Sequence, residues 1–199
     1  LTDKTGTLTE NSMTVRRVVT LDDEVRLEGE RPELSSRARR VLEIGVLCNS
    51  ASLGEDADHG RARGDPTEIA LLDAGRWIDL SREDLLEEKP EVGRASFDSE
   101  VMMMATHHAL ERGTLVAVKG APDRVLDVST HYAASGEALD ETARATWRER
   151  ERELAEEGLR VLALAEKTAP SKEEAPYRDL GWLGLVAMLD PPRRDVKTA

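Results

Sequence analysis

One cysteine, Cys48, stands alone in 199 residues. An internal disulfide and a cysteine-clustered zinc site are thereby excluded, and a reducing, cytoplasmic compartment fits. Basic charge is also in short supply, since 28 Lys and Arg face 40 Asp and Glu for a formal net charge of -12. Such a surface repels a phosphate backbone, which argues against general nucleic-acid binding. Long hydrophobic runs are missing: the longest apolar stretch, residues 180–189, falls far short of the roughly 20 residues a membrane-spanning helix needs. No basic region followed by an apolar one opens the chain, as a secretory leader would require. What remains is 39% hydrophobic and 34% charged, enough for a sizeable core in one large domain or two small ones.

Along the chain, residues 14–20 are rich in β-branched side chains and turn through Leu21-Asp22-Asp23-Glu24 into residues 25–28, a hairpin pattern. Between residues 32 and 48, Leu34, Ala38, Val41, Leu42, Gly45 and Val46 recur at helical spacing and predict a helix covering the sheet. Residues 50–64 lack periodicity and read as an exposed, mobile loop. Asp65-Pro66-Thr67-Glu68 then combines a capping Asp, Pro at the first helical position and an acid three residues after the cap, so a helix starts there and runs to about Arg76. A short capped helix is predicted over 81–88. Strands follow over 91–97, 101–107 and 114–119, in the order of an antiparallel meander. Helices are predicted over 122–128 and 140–157, the second capped by Asp140 and ended by Gly158. Two closing strands cover 160–166 and 183–189. Strands interrupted by helical excursions, without regular strand–helix alternation, give an α+β class.

The chemistry concentrates in Asp3-Lys4-Thr5-Gly6-Thr7-Leu8-Thr9. A carboxylate attacks a phosphoryl group to form an acyl phosphate. Lys4 supplies positive charge, Thr5 and Thr7 supply hydroxyls and amides, and Gly6 lets the backbone approach phosphate oxygens. A capped turn with an ordinary Asp-Lys pair would explain four such residues, but not seven in a row.

Here the sequence resembles the P-type ATPases, ion pumps that phosphorylate themselves on the Asp of this motif. The resemblance covers the whole chain. Gly64-Asp65-Pro66-Thr67-Glu68, Lys119-Gly120-Ala121-Pro122, the segment Leu159-Arg160-Val161-Leu162 and the returning hinge Asp190-Pro191-Pro192-Arg193 all resemble family motifs and occur in family order. It implies that residues 12–189 form a nucleotide-binding domain, a twisted antiparallel β-sheet flanked by helices. Residues 1–11 and 190–199 would be stubs of the phosphorylation domain, so the chain reads as an excised fragment.

The site residues follow from the same resemblance. ATP would stack on Phe97, the only Phe, which precedes Asp98-Ser99-Glu100. Without that context Phe97 would be read as a core residue ending a strand. Glu68, beside Thr67, would approach the adenine amino group, Lys119, Gly120 and Ala121 would lie along the nucleotide, and Arg160 would approach phosphate, with Asp190 and Arg193 in the hinge. Asp3 would accept the γ-phosphate, flanked by Lys4 and Thr5. Mg²⁺ would be bound by the Asp3 carboxylate and the Thr5 backbone carbonyl, an oxygen donor set that suits it. The remaining phosphorylation, actuator and transmembrane domains would be partners in one integral membrane pump whose cytoplasmic part this is. The hinge and Lys-Gly-Ala-Pro motifs look closer to calcium-type pumps than to heavy-metal pumps.

One departure stands out. The family places a basic pair where this chain has Val101-Met102, and methionine cannot neutralise a phosphate. Weak ATP binding is therefore expected, with Met102 in the pocket wall; Met102, Met103 and Met104 filling core gaps is the alternative. A straight strand would set Met102 opposite Phe97, so Asp98-Ser99 is read as a turn. Two other classes stay open. A haloacid-dehalogenase-type phosphatase would need a second Asp where Thr5 stands. A regulatory or protein-interaction module could keep the fold after losing nucleotide binding. Elsewhere plain readings suffice: His107 and His108 alternate across a strand and cannot share a metal, His59 sits in an acidic loop, and residues 148–157 form a solvated helix face. Cys48 is read as buried.

Overall fold

The computed structural model of the chain describes residues 13–54 and 62–190. The phosphorylation motif with Asp3, Lys4 and Thr5, the hinge residue Arg193 and the His59 segment lie outside the described residues. Among the described residues eight strands form one sheet: β1 (Thr14–Val19), β2 (Glu24–Arg26), β3 (Glu91–Asp98), β4 (Met103–Ala109), β5 (Thr114–Gly120), β6 (Ser129–Tyr132), β7 (Arg160–Ala169) and β8 (Leu180–Leu189). Their order is β2-β1-β8-β7-β5-β4-β3, every neighbour antiparallel, with β6 alone parallel to the first half of β8. The α+β class and the β3-β4-β5 meander expected from sequence are both present.

Five helices among the described residues cover both faces. Helices α1 (Ser36–Leu47), α2 (Pro66–Trp77) and α3 (Arg82–Glu88) share one apolar core with one side of the sheet. Helices α4 (Pro122–Asp127) and α5 (Glu141–Glu156) share a second core with the other side. The caps that punctuate the sequence carry these starts: Ser35 Oγ accepts from the Ala38 amide at 3.1 Å, an Asp65 carboxylate oxygen from Thr67 at 2.8 Å, and Asp140 from Ala143 at 2.8 Å. Each satisfies an amide that the first helical turn leaves unpaired. In the second core, Trp147 of α5 meets Trp182 of β8 with ring centroids 5.2 Å apart and donates its Nε1–H to the Tyr132 hydroxyl at 3.1 Å.

Several boundaries move. The strand expected from residue 101 begins at Met103, because Val101 and Met102 belong to a turn. β6 has no counterpart in the sequence reading: four residues with a buried–exposed–intermediate–buried pattern are too few for a period to declare itself. β8 starts three residues early, at Leu180, where β6 supplies its partner. The segment read as an exposed loop is anchored at its described ends, since Ala51 is buried and Ser52 pairs with Arg63 through two 2.9 Å backbone hydrogen bonds. Gly184, at φ +151°, sits where β8 passes from β6 to β1; a Cβ there would lie 2.2 Å from the Val19 carbonyl oxygen, so only glycine fits.

Candidate functional site

A cleft of about 410 Å³ opens where the start of α2, the β3–β4 turn, the end of β5 and the start of β7 converge. Glu68, Phe97, Met102, Lys119, Arg160 and Ala121 all line it, together with Thr67 and Gly120. Residues spread over 94 positions of the sequence thus meet in one place (67 to 160). Asp190, which follows β8 directly, is not among the lining residues.

Phe97 reaches this cleft through a register shift. With a period of two, Phe97 would share a face with Ala95, which packs in the α4–α5 core. The pairing runs Ala95 to Ala105 but Asp98 to Met103, so β3 holds one extra residue. That bulge turns Phe97 to the face of Met104 and Lys119. There the ring stays 63% exposed, an unusual state for a benzyl side chain beside an apolar hollow.

Beyond Phe97 the chain makes the turn read from Asp98-Ser99. The Asp98 carboxylate accepts from the Glu100 amide at 2.7 Å, and its carbonyl accepts from Met102 N–H at 2.6 Å. Met102 stands at φ +58°, a conformation costing an L-residue roughly 1–2 kcal/mol. Its carbonyl accepts from the Ala121 amide at 3.0 Å. Gly120 is required beneath it, since a Cβ would lie 2.5 Å from the Met102 carbonyl oxygen. The three methionines divide: Met103 and Met104 are buried in opposite cores, as gap-fillers would be, whereas Met102 is 41% exposed at the mouth.

At the floor, Lys119 Nζ donates to Glu68 Oε1 at 2.5 Å and to the Cys48 carbonyl at 2.6 Å. Both side chains are buried, and Glu68 Oε1 also accepts from the Ser50 amide at 3.2 Å. A buried charge is tolerated only when paired and hydrogen-bonded. The ammonium is therefore committed to the protein, and among the described lining residues Arg160 is the exposed cation. Burial pushes the Asp65 carboxyl up, but hydrogen bonds from the Thr67 hydroxyl and amide, with Arg160 and Lys119 nearby, outweigh it and hold the group below its ordinary value. Burial pushes the Cys48 thiol up, in keeping with a structural cysteine behind the floor. Ser50, which fell in the loop reading, and Met104, weighed in the sequence only as a core gap-filler, also line the cleft. Met104 was legible as the cross-strand partner of Lys119 once β4 and β5 pair; Ser50 carried no signal, because Asn49 brings it there by donating from Nδ2 to the Glu68 carbonyl at 2.9 Å.

This arrangement offers a flat aromatic face, an apolar side wall, a carboxylate at the floor and one free guanidinium at the rim. It can hold a planar, partly polar ring with a nearby anionic group. Among known proteins, a family described as P-type ATPase, cytoplasmic domain N, matches residues 37–195. The chain is 36% identical over 98% of its length to Calcium-transporting ATPase 1 of Bacillus cereus, covering 22% of that protein. It is 34% identical over 99% of its length to Calcium-transporting ATPase 1 of Saccharomyces cerevisiae, covering 23%. It is 35% identical over 99% of its length to the Probable cation-transporting ATPase F of Mycobacterium tuberculosis, covering 24%. The chain thus spans under a quarter of the length of these relatives. Among the described residues no helix is long and apolar enough to cross a membrane.

Proposed function

The chain belongs to the family of P-type ATPase cytoplasmic N domains, and we propose that its cleft binds ATP with the purine stacked on Phe97. The observation that carries this reading is the exposed Phe97 ring, turned by a strand bulge over the hollow that holds Glu68, Lys119 and Arg160. An aromatic face contributes about 1–3 kcal/mol to holding a base. Glu68 and Thr67 contact the base edge, Gly120 and Ala121 lie along the nucleotide, and Arg160 receives the phosphates. In the whole protein the nucleotide would serve phosphorylation of Asp3, beside Lys4 and Thr5, with Mg²⁺ at Asp3 and Thr5 and the hinge residues Asp190 and Arg193 joining the two domains. Phosphoryl transfer depends on positioning and charge neutralisation, which the Mg²⁺ supplies when bound. The whole protein would couple this phosphorylation to moving a cation across a membrane, calcium being favoured by the relatives' names.

One feature supports the domain reading. The first and last strands leave side by side, Thr14 opposite Leu189, as the ends of a domain inserted into another must. Weak binding is supported as well: with Lys119 tied to Glu68 and Met102 offering no charge, Arg160 is the one exposed cation for the triphosphate among the described lining residues, which supports a high-micromolar or weaker dissociation constant, about -5 kcal/mol or less favourable. A chemical-shift titration with ATP tests the site: perturbations centred on Phe97, Glu68 and Lys119, lost in Phe97→Ala, are expected. Silence in the titration would favour the interaction-module reading, and low-micromolar binding by calorimetry would contradict the weak-binding one. The chain alone is expected to show no steady-state ATP hydrolysis; magnesium-dependent phosphate release by the purified chain would overturn that.

A further inference from the structure

We propose that Met102 is a reversible oxidation site controlling the cleft, with hydrogen peroxide as the oxidant; its effect on binding rests on the nucleotide reading above. Of the methionines, Met103, Met104 and Met188 are 3%, 2% and 0% exposed, whereas Met102 is 41% exposed. Met13 is partly buried and lines a different hollow, beside Trp77. Cys48, the competing sulfur, is fully buried, and its thiol is pushed up by that burial, so its nucleophilic thiolate is scarce.

Exposure alone would make Met102 only a bystander; its backbone makes it a wall. The Met102 amide is bonded to Asp98 and its carbonyl to Ala121, with Gly120 packed beneath. The residue is thus held in its left-handed conformation, and its side chain lines the same hollow as Phe97. In the oxidation a sulfur lone pair forms an S–O bond as the peroxide O–O bond breaks. The displaced hydroxide takes up the proton on the transferred oxygen and leaves as water, so the sulfur is oxidised by two electrons and the peroxide reduced by two. The apolar thioether becomes a polar sulfoxide, which a reductase of methionine sulfoxide can reverse. Next to a purine, the thioether's favourable contact with an aromatic ring is lost. Lys119 is already committed to Glu68 and the Cys48 carbonyl, so it offers the new oxygen no free donor.

The test treats the purified chain with hydrogen peroxide, with and without ATP, and follows each methionine by peptide mass spectrometry. Met102 is expected to gain an oxygen ahead of Met103, Met104 and Met188, and ATP to slow it. Calorimetry on the oxidised chain is expected to give a dissociation constant about threefold to tenfold higher. Met102→Leu, whatever its starting affinity, is expected to show no such rise. Oxidation spread evenly over the methionines, unchanged affinity once Met102 is oxidised, or an equal loss in Met102→Leu would overturn the proposal. An untreated chain that binds no ATP overturns the nucleotide reading and with it the effect on binding, whereas the order of oxidation still decides the modification site.

Discussion

Phe97 and Lys119 sit in the same cleft, but the physics of their removal differs. The Phe97 ring is 63% exposed, so truncating it to Ala leaves the core intact and changes stability by no more than about 0.5 kcal/mol. If it stacks on a purine, the same change weakens ATP binding by about 1–3 kcal/mol, roughly fivefold to a hundredfold. Urea unfolding and calorimetry on Phe97→Ala separate the two effects; a large stability loss with unchanged binding would make Phe97 a structural residue. Lys119 is the opposite case. Replacing it with Met leaves the Glu68 carboxylate buried without its ion pair and strips the Cys48 carbonyl of its donor, at a cost of about 3–5 kcal/mol. Adding Glu68→Leu removes the stranded charge, and the double variant is expected to recover most of that loss. A double-mutant cycle read from urea midpoints checks it, and additive losses would mean the two groups do not depend on each other.

At the scale of elements, the start of α2 positions the cleft floor. Asp65 caps this helix, and Asp65→Ala is expected to cost about 1 kcal/mol. Because Glu68 lies in the first turn, the loss also loosens the floor, so hydrogen exchange at Ser50 and Thr67 is expected to rise; a stability loss with unchanged exchange there would confine the cap to a local role. This helix was legible from Asp65-Pro66-Thr67-Glu68, because capping is a short-range device written in adjacent residues. The meander was legible for a similar reason, since short strand-forming runs separated by polar turns are local patterns. The β3 bulge and β6 were not. A bulge is decided by which residue of another strand lies opposite, and β6 exists because Leu180–Trp182 presents an edge beyond the end of β1. The site divides the same way. Lys119, Glu68 and Arg160 could be placed together only through a family resemblance, and the ion pair that occupies Lys119 follows from packing across 51 residues of sequence.

For the molecule as a whole, the two cores meet acid through the adjacent histidines of β4. His108 faces the α1 side: Lys89 offers a carbonyl to its Nδ1 at 3.0 Å and the Thr106 hydroxyl lies 2.8 Å from its Nε2. His107 faces the other side, with Lys167 and Glu173 nearby and neither ring nitrogen hydrogen-bonded among the described residues. Burial is the largest influence on both and holds their protonation below the ordinary 6.5. The unfolded chain therefore takes up protons first as pH falls through that value, and folding stability must decline from there down to the lowered folded values. Urea midpoints measured from about pH 7.5 down to about pH 5.5 are expected to fall. Replacing His107 with Leu keeps an apolar filling of similar size and removes an unpaired buried polar ring, so stability near neutrality is expected to hold or rise. The same variant is expected to flatten part of the slope, because one of the two groups that must stay neutral is gone. A slope identical to that of the unmodified chain would mean that His107 is already charged or already solvated in the folded state, and the acid sensitivity would then belong to His108 and the carboxylates.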